Sequence, residues 1–178
     1  PASAGNVVLD SATQTLTNKT IQGGAITSGT AVASTSGTAI TFTSIPSWVK
    51  RITMVLNGVS TSGSSLIALR IGSGSIDTTS YVSSSTVCYG VNLASTQGTS
   101  SYVIYSDVAS NALSGSIQLN NISGNIWIAS GTISIYAVNA VAILGGTHTT
   151  SSTLDRVQLT TLNGTDTFDA GSINILYE

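Results

Sequence analysis

The chain has 178 residues, 41% of them hydrophobic and only 7% charged, with five Lys and Arg against seven Asp and Glu. That length fits one domain and that apolar share supplies a core, but a soluble domain ordinarily carries about a quarter charged residues. Hydroxyls stand in for ions, since about a third of the chain is Ser or Thr. The small negative balance offers no cationic field for phosphates, so neither nucleic acid nor anionic membrane is an expected partner.

Cys88 is the sole cysteine, so an intrachain disulfide and a thiolate metal cluster are both excluded. Pro1-Ala2-Ser3 lacks an initiator Met and a basic-then-apolar leader, and a piece of a longer protein is expected. No uninterrupted apolar run approaches the ~18 residues of a membrane span, so no membrane insertion is expected.

Residues 1–35 differ in kind from residues 36–178. Apart from Val7-Val8-Leu9, their larger apolar residues stand alone at Leu16, Ile21, Ile26 and Val32, separated by Thr, Asn, Gln, Ser and Gly. This spacing matches neither a helical stripe nor strand alternation. Alone, such a segment buries too little to offset ordering costs of ~1 to 2 kcal/mol per residue. Two readings stand: an extended stalk intertwined with symmetry mates, or a linker without fixed structure.

From Ser36 to Glu178 the chain reads as short β-runs punctuated by Gly, Ser and Asn, with no amphipathic helix. The clearest run is Lys50 to Leu56, where Ile52, Met54 and Leu56 alternate with Arg51, Thr53 and Val55, the period of a half-buried strand. Pro46 belongs before it, Asn57-Gly58 reads as a tight turn after it, and Trp48 is expected to close one end of the core. Further runs are predicted at 38–43, 66–71, 81–92, 102–108, 116–121, 125–129, 132–138, 141–144, 154–161 and 172–177. The expected fold is all-β: an antiparallel β-sandwich, jelly-roll-like, of about eight to ten strands. Two Lys and two Pro in the whole chain leave few edge guards. Neighbouring subunits would cover the edges, and a homotrimer is the simplest assembly.

The residues Thr15-Leu16-Thr17-Asn18-Lys19-Thr20-Ile21 resemble a segment found in many bacteriophage tail fibre and spike proteins. The stretch from Ser36-Gly37-Thr38-Ala39-Ile40-Thr41-Phe42 through Ile45-Pro46-Ser47-Trp48-Val49-Lys50-Arg51-Ile52 looks like the start of a carboxy-terminal domain of such fibres. Leu162-Asn163-Gly164-Thr165-Asp166-Thr167-Phe168 through Ile175-Leu176-Tyr177-Glu178 looks like its end. The likeness covers the two ends of the chain and extends to residues 73–150 only in style. It implies a trimeric, β-rich tip at the end of a virion fibre that binds a bacterial surface structure, and it carries over no catalytic residue.

The acidic residues are Asp10, Asp77, Asp107, Asp155, Asp166, Asp169 and Glu178. A glycosidase needs two facing carboxylates, and the nearest pair in sequence, Asp166 and Asp169, sits among turn residues and reads as turn chemistry. His148, the only His, lies in Gly145-Gly146-Thr147-His148-Thr149-Thr150 and reads as an exposed loop residue. Its alternative role is a general base with Asp155, but no Gly-x-Ser-x-Gly elbow accompanies it. Arg70 either pairs with an Asp across a subunit contact or reaches solvent. No catalytic residue, metal ligand or cofactor is expected.

Sugar recognition asks for aromatic faces and short polar side chains. Tyr81, Tyr89, Tyr102 and Tyr105 cluster in mid-chain with Asp77, Asn92, Gln97 and Asp107 nearby, and Trp127 follows Gly124-Asn125 as a candidate outward-facing ring. The predicted ligand-binding set is Tyr81, Tyr89, Tyr105, Asp107 and Trp127, with core or interface packing as the alternative for each. The expectation is a fibre tip that adsorbs to a bacterial surface polysaccharide without cleaving it. The alternative is a trimerisation or capping domain of a fibre or depolymerase whose site lies elsewhere.

Overall fold

The computed structural model describes residues 26–178, which form fourteen antiparallel strands and one short 3-10 turn. In chain order these are β1 (Thr27–Ser28), β2 (Val32–Ala33), β3 (Ala39–Phe42), β4 (Arg51–Thr61), β5 (Ile67–Ser73), β6 (Ser75–Ile76) and β7 (Val82–Tyr89). Next come β8 (Asn92–Gly98), β9 (Tyr102–Ile104), β10 (Leu113–Ser123), β11 (Ile126–Ile135), β12 (Ala140–Thr149), β13 (Arg156–Thr161) and β14 (Phe168–Tyr177). The 3-10 turn, Tyr136–Val138, joins β11 to β12. The predicted all-β class and antiparallel pairing are observed. Among the described residues no helix is long and apolar enough to cross a membrane.

Nine strands form one sheet in the order β1-β14-β4-β10-β11-β12-β7-β8, with β2 also on β14; five form the other, β3-β13-β5-β6 with β9 also on β5. The two sheets share one core. Ile52, Met54 and Leu56 of β4, Ile117 and Leu119 of β10, and Ile133 and Ile135 of β11 meet Leu69 and Ile71 of β5 and Val157 and Leu159 of β13. Each such side chain, fully buried, stabilises the fold by ~1.5–3 kcal/mol.

The alternation read along β4 is the observed one: Ile52, Met54 and Leu56 are buried while Arg51 faces solvent. Asn57-Gly58 does not end the strand. Gly58 has φ +63°, and the pairing of β4 shifts there against both β10 and β14, so the pair forms a bulge. After it Val59 returns to the core, opposite Leu113. A left-handed glycine serves a turn and a bulge equally well, which is why local sequence does not separate them. Gly171 of β14 packs so closely on the Gly58 carbonyl that a Cβ would collide with it.

Trp48 also departs from expectation. The turn closed by Val49 N–H donating to the Pro46 carbonyl, at 3.1 Å, buries Ile45 and Val49 and leaves Trp48 55% exposed. Its ring lies tilted against Tyr177 with centroids 5.9 Å apart. The smaller apolar residues on either side of the tryptophan take the core positions.

Of the segment 1–35, the predicted stalk, residues 1–25 lie outside the described residues. Residues 26–35 run along β14: Thr27 and Ser28 pair with Tyr177 and Leu176, Val32 and Ala33 with Ile173 and Ser172. Ser34 is buried, its hydroxyl donating to the Ala170 carbonyl at 2.7 Å.

Registers give the molecule two ends. At one, Thr27 lies beside Tyr177, Tyr177 beside Ile52, and Ile52 beside Leu119. At the other, Val59 lies beside Leu113, Leu113 beside Ile135, Ile135 beside Ala140, and Ala140 beside Tyr89. The step from Leu119 to Leu113 spans roughly 20 Å at ~3.4 Å per residue. The chain enters the described structure at Ile26, at the first of these ends.

Candidate functional site

Three of the five predicted site residues converge at the end opposite the chain entry. Tyr89 closes β7, while Tyr105 and Asp107 come after β9. Together with Val87, Val108, Asn111, Ile135 and Val138 they line a cavity of about 230 Å³.

The pocket lies at the end of the molecule where β7 and β11 of the larger sheet face the chain leaving β9. Val87 and Ile135, both buried, form its floor. The loop from Tyr105 to Ala112 forms one wall: Tyr105 N–H donates to Ser85 Oγ at 3.1 Å, and Asn111 N–H donates to the Val108 carbonyl at 3.0 Å. The Tyr105 hydroxyl donates to Asp107 Oδ2 at 3.3 Å. Burial first, and then the Asp107 charge and hydrogen bond, hold the Tyr105 phenol above its usual range.

Asn111, absent from the predicted set, is the residue that marks the pocket chemically. It is 3% exposed, and its Nδ2 donates to Ser106 Oγ at 3.3 Å. Its Oδ1 is buried with no hydrogen-bond partner, a condition that costs ~1–3 kcal/mol and is uncommon enough in native proteins to need an explanation. Ser101 Oγ, the other such atom among the described residues, does not line this pocket. The sequence signal that could find Asn111 is the polar loop between two strands that also carries Asp107. In the turns nearby, Val91 and Tyr136 are 98% and 82% exposed, and Tyr89, Val108 and Val138 are partly so.

The other two predicted residues are core. Trp127 is 3% exposed, facing inward from β11, and its carbonyl accepts the Tyr102 hydroxyl at 2.9 Å. Both parities of β11 are apolar, with Ile126 and Ile128 outward and Trp127 and Ala129 inward, so alternation alone does not fix which set faces the core. Tyr81 is buried with its hydroxyl fully engaged, accepting from Ile71 N–H at 2.9 Å and lying 3.1 Å and 3.2 Å from the Ile71 and Asp77 carbonyls.

His148 is no loop residue. It lies in β12, buried, stacked on Tyr81 with ring centroids 3.8 Å apart. Its Nε2 lies 3.0 Å from Asp77 Oδ2 and its Nδ1 3.4 Å from the Ser80 carbonyl. Asp155 instead grips Arg156 at 2.7 Å and 3.0 Å and accepts Gly74 N–H. Arg70 Nε donates to the Ser100 carbonyl at 3.1 Å. Asp166 accepts Ser65 N–H at 3.0 Å and Asn163 Nδ2 at 2.7 Å, the turn chemistry expected of it.

Two larger hollows lie along the Tyr81 end of β7: one of 440 Å³ between residues 81–84, 97–99 and 145–146, and one of 360 Å³ along residues 76–80 and 148–151. Both are shallower than the Tyr89 pocket, and the polar side chains of Tyr81, Ser83 and His148 that line them already have partners. They and a third hollow, of 350 Å³ along residues 116–118, 130–132 and 143–144, exceed the Tyr89 pocket in size, but the rings of Tyr81 and His148 are buried where that of Tyr89 is partly exposed. Among the described residues no group of three or more His, Cys, Asp or Glu is placed to hold a metal ion. No family model, curated protein or solved structure matches the chain.

Proposed function

We propose that this chain is the tip of a bacteriophage tail fibre, a jelly-roll-like sandwich in a homotrimer, that adsorbs to a glycan on the bacterial surface. The observation that carries the reading is the convergence of Tyr89, Tyr105 and Asp107 on one pocket at the end opposite the chain entry. A stalk joined at Ile26 would present that pocket outward. The pocket combines apolar walls, an aromatic face and a few polar groups, the requirements of a sugar site. Among the described residues it holds a single carboxylate, where glycoside cleavage by the usual route needs two, and this favours binding without reaction.

Three copies per fibre raise avidity by orders of magnitude when the geometry lets them engage together. The test is adsorption of the isolated protein to susceptible cells, with Tyr89→Ala and Tyr105→Ala variants that remain folded. Cell binding that survives both substitutions sinks the pocket as the receptor site.

One observation favours the second reading, a domain that nucleates or caps a trimer. The neighbouring strands β10, β11, β12, β7 and β8 contain no Asp, Glu, Lys or Arg. Their outer face exposes Val82, Leu93, Ile128, Val141 and Ile143 among hydroxyls, a surface that meets its own kind without like-charge repulsion. Sedimentation separates three chains from one, and loss of trimer in a Val141→Lys, Ile143→Lys variant assigns this face.

A further inference from the structure

We propose that the Tyr89 pocket takes a single non-acidic sugar ring, whose hydroxyl or amide N–H groups face Asp107, and excludes acidic sugars. This rests on the glycan reading and adds the ligand's chemistry to it. The polar groups at the pocket include an acceptor, Asp107 Oδ1, and the Tyr89 hydroxyl, which donates or accepts. Asp107, when ionised, accepts only, and among the described residues its one side-chain hydrogen bond uses Oδ2, leaving Oδ1 for a ligand. A ligand that pairs with Asp107 Oδ1 must bring a donor.

Among the described residues no cation balances an acid there. Lys50 reaches Asn121, and Arg51 reaches Glu178, at the chain-entry end; Arg70 donates to Ser100 and Arg156 to Asp155. None of them lines the pocket. A ligand carboxylate would lose its water without a counter-charge and would meet Asp107 at short range, both unfavourable. The apolar groups, Val87, Val108, Ile135 and Val138, suit the C–H face of a ring. At 230 Å³ the cavity falls below the ~300–1,000 Å³ of pockets for larger ligands, which limits it to one ring.

Saturation-transfer NMR on the full chain tests this with glucose, galactose and mannose, their N-acetylated 2-amino forms, and their uronic acids at matched concentration. The expected result is transfer to at least one neutral or N-acetylated ring, with the matching uronic acid at least ~10-fold weaker. Asp107→Asn should narrow that gap by readmitting the acid, an effect that a merely structural role would not produce. A uronic acid that binds as well as its neutral counterpart overturns the inference and leaves the glycan reading standing. No transfer from any ring, with cell adsorption still lost in Tyr89→Ala, likewise overturns the single-ring inference alone. No transfer and no cell adsorption overturns both.

Discussion

The two ends of β7 carry similar parts and use them differently. At its start, Tyr81, His148 and Asp77 form a stacked group in which each ring heteroatom faces a partner. At its finish, Tyr89, Tyr105, Asp107 and Asn111 line a pocket, with one buried oxygen left without a partner. Aromatic, carboxylate and amide or imidazole groups occur at both, so residue type does not separate structure from site. Between these two groups pairing does: the first is fully paired and holds loops to strands, whereas the second keeps an unpaired Asp107 oxygen in a residue that lines the pocket.

The sharpest separation should come from truncating the buried rings. Trp127→Ala and Tyr81→Ala should each cost ~3–5 kcal/mol, read as a lowered urea midpoint at unchanged slope. Asp77→Ala, which leaves His148 without its carboxylate, should cost ~1–3 kcal/mol and leave cell adsorption by the folded fraction unchanged. Tyr105→Phe, which removes only an exposed hydroxyl and keeps the ring on the core, should shift stability by no more than ~0.5 kcal/mol, and lower adsorption. A loss of stability at Tyr105 as large as that at Tyr81 would erase the distinction between the two ends.

Acid and base probe the same contrast more gently. Burial raises the Tyr81 and Tyr102 phenols. Their folded values lie above the unfolded value near ~10, so their contribution is whole below that pH and is lost as pH climbs toward the folded values. Asp155, held down mainly by Arg156, and Asp166, held down mainly by Asn163, work in the opposite sense. Their contribution is present above the usual carboxylate range and is lost as pH falls through the lowered values. The unfolding temperature should therefore decline on both flanks, and Tyr81→Phe should soften the alkaline one.

The β class and the β4 alternation are legible in the sequence because period two is local and Ile52, Met54 and Leu56 follow it strictly. Trp127 is not, since both faces of β11 are apolar and only the tertiary partner sheet selects one. His148 misleads for a related reason: its glycines belong to a strand, where Gly146 packs against Ser83 too closely for a Cβ. The pocket is half legible. Tyr89, Tyr105 and Asp107 stand out by type, but Asn111 matters through an unpaired oxygen, and pairing is a property of the folded arrangement.

The direction in which the chain enters also has a mechanical side. Ile26 and the Tyr89 pocket lie at opposite ends of strands ten and eleven residues long. A tension applied between those two points would run along the strands, so each ladder would slide as a block, sharing the load among its rungs, and would not unzip one rung at a time.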